Sequence, residues 1–149
     1  MLKGIPPIIS PDLISVLMSM GHGDELVIAD GNYPSAALAR RLVRADGHGV
    51  PELLDAILGL FPLDPYVKNP VALMAVVPGA PAKTDIWEEY RTIIGRHDPS
   101  FKDFELVERF AFYERSRSAY AILATSEMAI YANVILKKGL VKPTPKARP

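Results

Sequence analysis

Cysteine is absent from all 149 residues. That excludes a disulfide framework, a thiolate nucleophile and a thiolate metal ligand together. Histidine is scarce, with three copies at His22, His48 and His97. None of them has the spacing of a common zinc site, so no metal is expected. Long apolar runs are missing as well. The most apolar stretch, Val71 to Val77, has seven residues, against about 20 for a membrane-spanning helix. No membrane association is expected.

An excess of charge of one sign is also lacking, since 17 basic and 17 acidic side chains cancel. The segment 141–149 holds Lys142, Lys146 and Arg148 and no acid, which leaves the rest with 14 basic against 17 acidic residues. Such a body offers no basic stripe to a phosphate backbone, so nucleic acid is not an expected partner. The start, Met1 to Pro7, carries a lysine but no long apolar core of the kind a secretory signal needs. A cytoplasmic location is the expectation.

The chain does have a hydrophobic content of 49% with 14 Pro and 10 Gly. Those proportions suit one globular core built from short elements separated by turns. Ser10-Pro11-Asp12 reads as a helix start, with a capping hydroxyl, proline at the first helical position and an acid in the first turn. Leu13, Val16, Leu17 and Met20 follow at helical spacing, and Gly21 is expected to stop the helix in a left-handed conformation. Leu26 to Ala29 reads as a buried strand ending at Asp30, followed by a loop over Gly31-Asn32-Tyr33-Pro34.

Arg41 to Arg44 is a candidate strand, and Asp46 to Gly49 a turn. A helix from Pro51 carries Leu53, Leu54, Ile57 and Leu60. Val71 to Val77 predicts a strand. A helix capped by Thr84 places Trp87, Tyr90, Ile93 and Ile94 on one face and yields near Gly95. Phe104 to Val107, Tyr120 to Ala124 and Val134 to Leu136 predict further strands, with a helix over Phe110 to Ser118. Strands interleaved with helices of roughly ten residues argue for a single α/β domain in which helices pack on a sheet. The domain is expected over 1–140, and the Pro- and Lys-rich 141–149 as a mobile tail.

Among the residues able to carry chemistry, His22 lies between two glycines at a helix end, where a ligand can approach the ring. An imidazole, with a reference pKa of about 6.5, can donate or accept a proton near neutrality. The same residue would serve equally as a solvated turn histidine. Asp24 suits a role as acceptor for turn amides. Asp30 stands where α/β sheets present ligands, or else caps the turn at Gly31. Arg109 sets a fork of donors beside the aromatic run Phe110-Ala111-Phe112-Tyr113, whose rings suit a core or a subunit contact. Tyr131-Ala132-Asn133 places a hydroxyl and an amide close together ahead of a strand, an arrangement able to grip a polyol or serve structure alone. His48 and His97 read as loop residues, and Trp87 as a core or interface anchor.

Five segments taken in order resemble the fucose mutarotase and ribose pyranase family, the fucose mutarotase branch above all. They are Ile8-Ile9-Ser10-Pro11-Asp12-Leu13, Met20-Gly21-His22-Gly23-Asp24-Glu25, Val43-Arg44-Ala45-Asp46-Gly47, Arg109-Phe110-Ala111-Phe112-Tyr113-Glu114-Arg115, and Tyr131 through Gly139. The resemblance implies a central mixed sheet packed by helices and exchange of the α and β anomers of a free monosaccharide, L-fucose first, without a cofactor. It makes His22 the catalytic proton donor, and assigns Asp30, Arg109, Tyr131, Ala132 and Asn133 to the sugar. Asp30 would orient the imidazole or accept from a sugar hydroxyl. It also implies a homo-oligomer, a toroidal decamer in bacterial members, with sites at subunit junctions.

Three positions depart from the fucose pattern: Asn32 where histidine is common, Tyr33 where phenylalanine is, and Ala132 where glycine is frequent. The alternatives are a non-catalytic monosaccharide-binding or transport-associated protein, and a pyranase for ribose or another aldose.

Overall fold

The structure, a computed structural model, describes residues 1–143. Most of the expected basic tail therefore lies outside the described residues. The first helix, α1 (Pro11–Ser19), starts as its sequence dictates, with Ser10 Oγ accepting from the Leu13 N–H at 3.1 Å. Leu13 and Leu17, one turn apart, are buried. It ends differently from expectation. Met20 closes it in an extended conformation, and Gly21 gives its N–H to Asp24 Oδ2 at 2.7 Å. The left-handed residue is Gly23, with φ +87°. The carboxylate of Asp24 thus does the work assigned to glycine geometry at 21, two residues ahead of the true left-handed position.

Then come β1 (Glu25–Ala29), α2 (Ser35–Leu38), β2 (Leu42–Ala45), α3 (Val50–Leu58) and β3 (Val71–Met74). They are followed by α4 (Asp85–His97), β4 (Glu105–Val107), α5 (Arg109–Ser118), β5 (Ala121–Thr125) and β6 (Val134–Lys137). Helix α2, a single turn directly after the expected loop over 31–34, has no counterpart in the sequence reading. Helix α4 runs through Gly95 to His97, so His97 is a helix-terminal residue and not a loop one. Acids Asp85 and Glu88 at its start and Arg96 and His97 at its end complement the helix dipole. Helix α5 begins at Arg109 because the Glu108 carboxylate accepts the N–H groups of Phe110 and Ala111.

The strands form one mixed sheet in the order β2-β5-β1-β6-β3-β4. Pairs β1–β5, β2–β5 and β3–β4 are parallel, while β6 runs antiparallel to both β1 and β3. Five strands therefore point one way and β6 the other. Alternate residues of the central strands go to opposite faces. Leu26 and Ile28 join α1, α3 and α4 in one apolar cluster, and Val27 and Ala29 join Leu38 of α2 and Phe112 of α5 in another. The arrangement is the expected α/β architecture with helices on both faces. No helix among the described residues is long and apolar enough to cross a membrane.

Because β6 alone is reversed, the C-terminal ends of β1, β3 and β4 share an edge with the start of β6. Asp30, Met74, Arg109 and Asn133 are gathered there by topology alone. His22 precedes β1 and so lies at the other edge, where Gly23 donates its N–H to the Lys138 carbonyl at the end of β6 (2.8 Å).

Candidate functional site

At the first edge a cleft of about 210 Å³ is lined by Asp30, Asn32, Arg109, Tyr113, Tyr131 and Asn133, among others. Its floor is a reciprocal clasp. Asn133 Nδ2 donates to Asp30 Oδ2 at 2.9 Å, and the Asp30 backbone N–H donates to Asn133 Oδ1 at 2.8 Å. The second carboxylate oxygen of Asp30 accepts the Asn32 N–H at 3.0 Å, so the turn-capping and ligand-facing readings of this acid coexist. Burial pushes the Asp30 carboxyl above its ordinary value, against the opposing hydrogen bonds from Asn32 and Asn133. No cation pairs with it among the described residues.

Arg109 is exposed at the first position of α5 and makes no ion pair among the described residues; its guanidinium lies 4.6 Å from the Phe110 ring centroid. The fork is therefore available to a ligand. Tyr131 is half-buried with φ +57°, the one non-glycine residue of positive φ among those described. Ala132 is fully buried and outside that left-handed region. The freedom of the glycine frequent at this position is thus not required here.

Tyr33 borders the cleft, but its hydroxyl points away, at 2.6 Å from Ser116 Oγ. Ser116 in turn donates to the Phe112 carbonyl at 2.9 Å, so the phenol is the donor to Ser116. Burial pushes its pKa up to about 12. The change from phenylalanine therefore adds a hydroxyl to the interior and none to the cleft. Asn32 is exposed at the rim, which leaves it as the departure that faces a ligand.

The expected proton donor is not in this cleft. Glu25 to Asp30 at about 3.3 Å per residue separates the two edges by roughly 16 Å. Asp30 consequently cannot orient the His22 ring within one chain, contrary to expectation. The carboxylate that does so is Asp64, whose Oδ1 lies 3.2 Å from His22 Nε2. The Asp64 side chain is 5% exposed and that of His22 45%. Asp64 also accepts the Tyr66 N–H at 3.0 Å. Burial works to raise the Asp64 carboxyl, but the Tyr66 and His22 bonds outweigh it and hold the acid below its ordinary range.

Backbone packing explains why Asp64 is there. Its N–H donates to the Lys137 carbonyl at 3.1 Å, and Leu63 bridges Lys138. A Cβ at Gly139 would collide with the Leu63 carbonyl. Glycine at 139 lets the 63–64 segment lie against the end of β6, under His22. Asp64 was missed because its partner is 42 residues away in sequence. The signal was a lone acid inside the apolar Phe61-Pro62-Leu63-Asp64-Pro65.

The remaining candidates fall to structure. Glu25 forms an ion pair with Arg115 at 2.8 Å, His48 lies 3.0 Å from Glu52, and His97 is 2.6 Å from Asp55. Phe112 is core and Phe110 exposed. No group of three or more His, Asp or Glu side chains is arranged to hold a metal among the described residues. A larger cleft of about 610 Å³ runs between α3 and α4, lined by Glu52, Asp55, Glu89 and Arg96 among others. It contains none of the candidate residues, and the smaller cleft is preferred because converging polar groups, not size, orient a ligand.

Known proteins resemble this chain over nearly its whole length. The model of the family described as "RbsD / FucU transport protein family" matches residues 3–141. An L-fucose mutarotase of Actinobacillus pleuropneumoniae serotype 5b is 48% identical over 140 residues, covering 94% of this chain and 97% of that protein. A fucose mutarotase of Bos taurus is 46% identical over 149 residues, covering 95% of each. The crystal structure of the fucose mutarotase from Streptococcus pneumoniae in complex with L-fucose superposes with a TM-score of 0.89 at 53% identity, covering 95% of this chain and all of that one.

Proposed function

The chain belongs to the RbsD / FucU family, and from that premise we propose that it is a mutarotase interconverting the α and β anomers of a free monosaccharide, L-fucose first. The observation that carries this reading is the cleft at the C-terminal edge of the sheet. A buried acid of raised pKa, the Asn133 amide and a guanidinium with no ion pair among the described residues line a cleft of a volume suited to one small ligand. A ring bearing several hydroxyls needs both donors and acceptors in fixed positions, and carboxylate and guanidinium supply the strong ones. The full-length likeness to proteins named fucose mutarotases supports the choice of reaction and sugar.

The reaction opens and recloses the ring. A proton goes to the ring oxygen as one leaves the anomeric hydroxyl, the bond from C1 to the ring oxygen breaks, and the free aldehyde forms. Rotation about the bond between C1 and C2, followed by reclosure, gives the other anomer. The C–O bond that breaks is re-formed within the same molecule with no redox change, and the only groups exchanged with the protein are protons, so the chemistry requires no cofactor. General acid and base assistance contributes about 10² to 10⁴ in rate.

In this proposal Asp30, Arg109, Tyr131, Ala132 and Asn133 hold the sugar, and His22 is the proton donor, backed by Asp64 in the way a carboxylate orients an imidazole in other acid–base sites. Since the two sets occupy opposite edges of one sheet, the complete site takes its histidine from a second copy of the chain. The proposed assembly is a homo-oligomer, in its full form a toroidal decamer with sites at subunit junctions, in the cytoplasm. Exposed Met18 and Tyr66 near the His22 edge, and Leu106, Phe110 and Met128 elsewhere on the surface, are large apolar side chains that such contacts would cover.

The test is anomer exchange followed by saturation-transfer NMR over a panel of pentoses, hexoses and deoxyhexoses. Acceleration is expected, greatest for L-fucose. Binding without acceleration would select a sugar-binding protein, and fastest exchange with ribose would reassign the substrate.

A further inference from the structure

Two donors on α4 hold consecutive carbonyls of the segment that precedes β6. Trp87 Nε1 donates to the Tyr131 carbonyl and Tyr90 Oη to the Ala132 carbonyl, each at 2.8 Å. Tyr90 is fully buried. A phenylalanine would fill the same space, and a hydroxyl carried into the core without a partner is costly. The only hydrogen bond of this hydroxyl among the described residues is the one to Ala132. The backbone it holds is unusual, because Tyr131 has φ +57°, a conformation that non-glycine residues keep only when their surroundings impose it. The Tyr131 hydroxyl is itself tied down, accepting the Val77 N–H at 3.3 Å. The next residue in the chain is Asn133, whose side chain clasps Asp30 at both ends.

We propose that Tyr90, assisted by Trp87, is a positioning residue for sugar exchange: α4 fixes the carbonyls of Tyr131 and Ala132 so that Asn133 is aimed at the Asp30 carboxylate. This rests on the mutarotase reading above and extends it to a helix that does not line the sugar cleft. The alternative role, in which the hydroxyl merely satisfies a buried carbonyl, makes a different prediction. It affects stability and leaves the handling of sugar unchanged.

The experiment compares full-length Tyr90→Phe and Trp87→Phe with wild type and with Ile57→Val, a buried control on α3. Losing one buried hydrogen bond corresponds to about a fivefold to tenfold effect, and it is expected as a rise in KM for L-fucose exchange with kcat within about twofold. Ile57→Val should lower the unfolding temperature without changing KM. In an Asn133→Ala background, Tyr90→Phe should cost no further kcat/KM, because the path it acts through is gone. If Tyr90→Phe fails to fold, Trp87→Phe, which removes the indole N–H together with part of a half-buried ring, is read by the same measurements.

Unchanged KM in the folded variants, or a full additional loss in the Asn133→Ala background, would overturn the proposal. A wild type that accelerates no sugar would sink the mutarotase reading without reaching the brace. The brace is then judged in the sugar-free protein by the Asn133 side-chain amide resonance, which Tyr90→Phe or Trp87→Phe should shift and which must stay put if α4 plays no positioning role.

Discussion

His22 and Asp30 flank the same strand, β1, and stand at opposite edges of the sheet it belongs to. His22 is paired with Asp64 at 3.2 Å, and Asp30 with Asn133 at 2.9 Å. In the proposed mutarotase, the proton donor and the acid that act on one sugar therefore come from two copies of the chain, and this separation can be tested directly.

Mixed assembly is the sharpest test. His22→Ala and Asp30→Asn homo-oligomers should each be close to inactive. Co-refolded in equal amounts, they should recover about a quarter of wild-type exchange, since each junction draws its two halves independently. Saturation-transfer NMR on the mixture reads this, and no recovery would place both residues in one subunit's site.

His22→Ala should lower exchange by about 10² or more, the lower end of general acid–base assistance. Asp64→Asn should lower it less, by about tenfold, because the ring keeps its nitrogen but loses the carboxylate that orients it. Circular dichroism should show the fold retained in both, and an undiminished rate in His22→Ala would remove its role as proton donor.

Tyr33→Phe deletes a hydroxyl that serves Ser116 and not the cleft. The ranking of sugars in the exchange assay should stay as in wild type, while denaturant unfolding shows a loss of about 1 kcal/mol. Asn32→His, by contrast, alters a rim residue and should change that ranking.

The raised pKa of Asp30 has a signed consequence. The folded protein holds this proton more tightly than the unfolded chain, whose carboxyl titrates near the ordinary value of 3.8. The stability contributed by protonated Asp30 is fully present below that value and is lost as pH rises through the higher folded-state pKa. Denaturant midpoints measured across pH 3 to 8 (about the range in which carboxylates and imidazoles titrate) should therefore fall relative to Asp30→Asn as pH rises through that window. Parallel curves would contradict the burial argument.

Gly139→Ala puts a methyl group into the Leu63 carbonyl. It should destabilise the fold by about 1 to 3 kcal/mol and, by displacing Asp64, reduce exchange beyond what the stability loss explains. Thermal unfolding and exchange rates measured on the same sample check both.

Much of this protein was legible in its sequence because the relevant physics is local. The Ser10 cap, the apolar faces of α1, α3 and α4 and the buried strand ahead of Asp30 follow from spacing and capping within a few residues. The motifs around His22, Asp30, Arg109 and Tyr131 through Asn133 sufficed to mark the family. The helix stop at Gly21 was misplaced because a side chain, Asp24, took over the turn. Helix α2 was missed because one turn is too short to show a period. Only tertiary structure could assign the partners. Reversal of β6 brings Asn133 to the edge where β1 and β4 end at Asp30 and Arg109, while His22, ahead of β1, lies at the other. Leu63 lying against Gly139 gives His22 its carboxylate, and α4 holds Tyr131 and Ala132 from 42 to 44 residues away. Those relationships arise from strand order and close packing between distant segments, which no local pattern of residue types encodes.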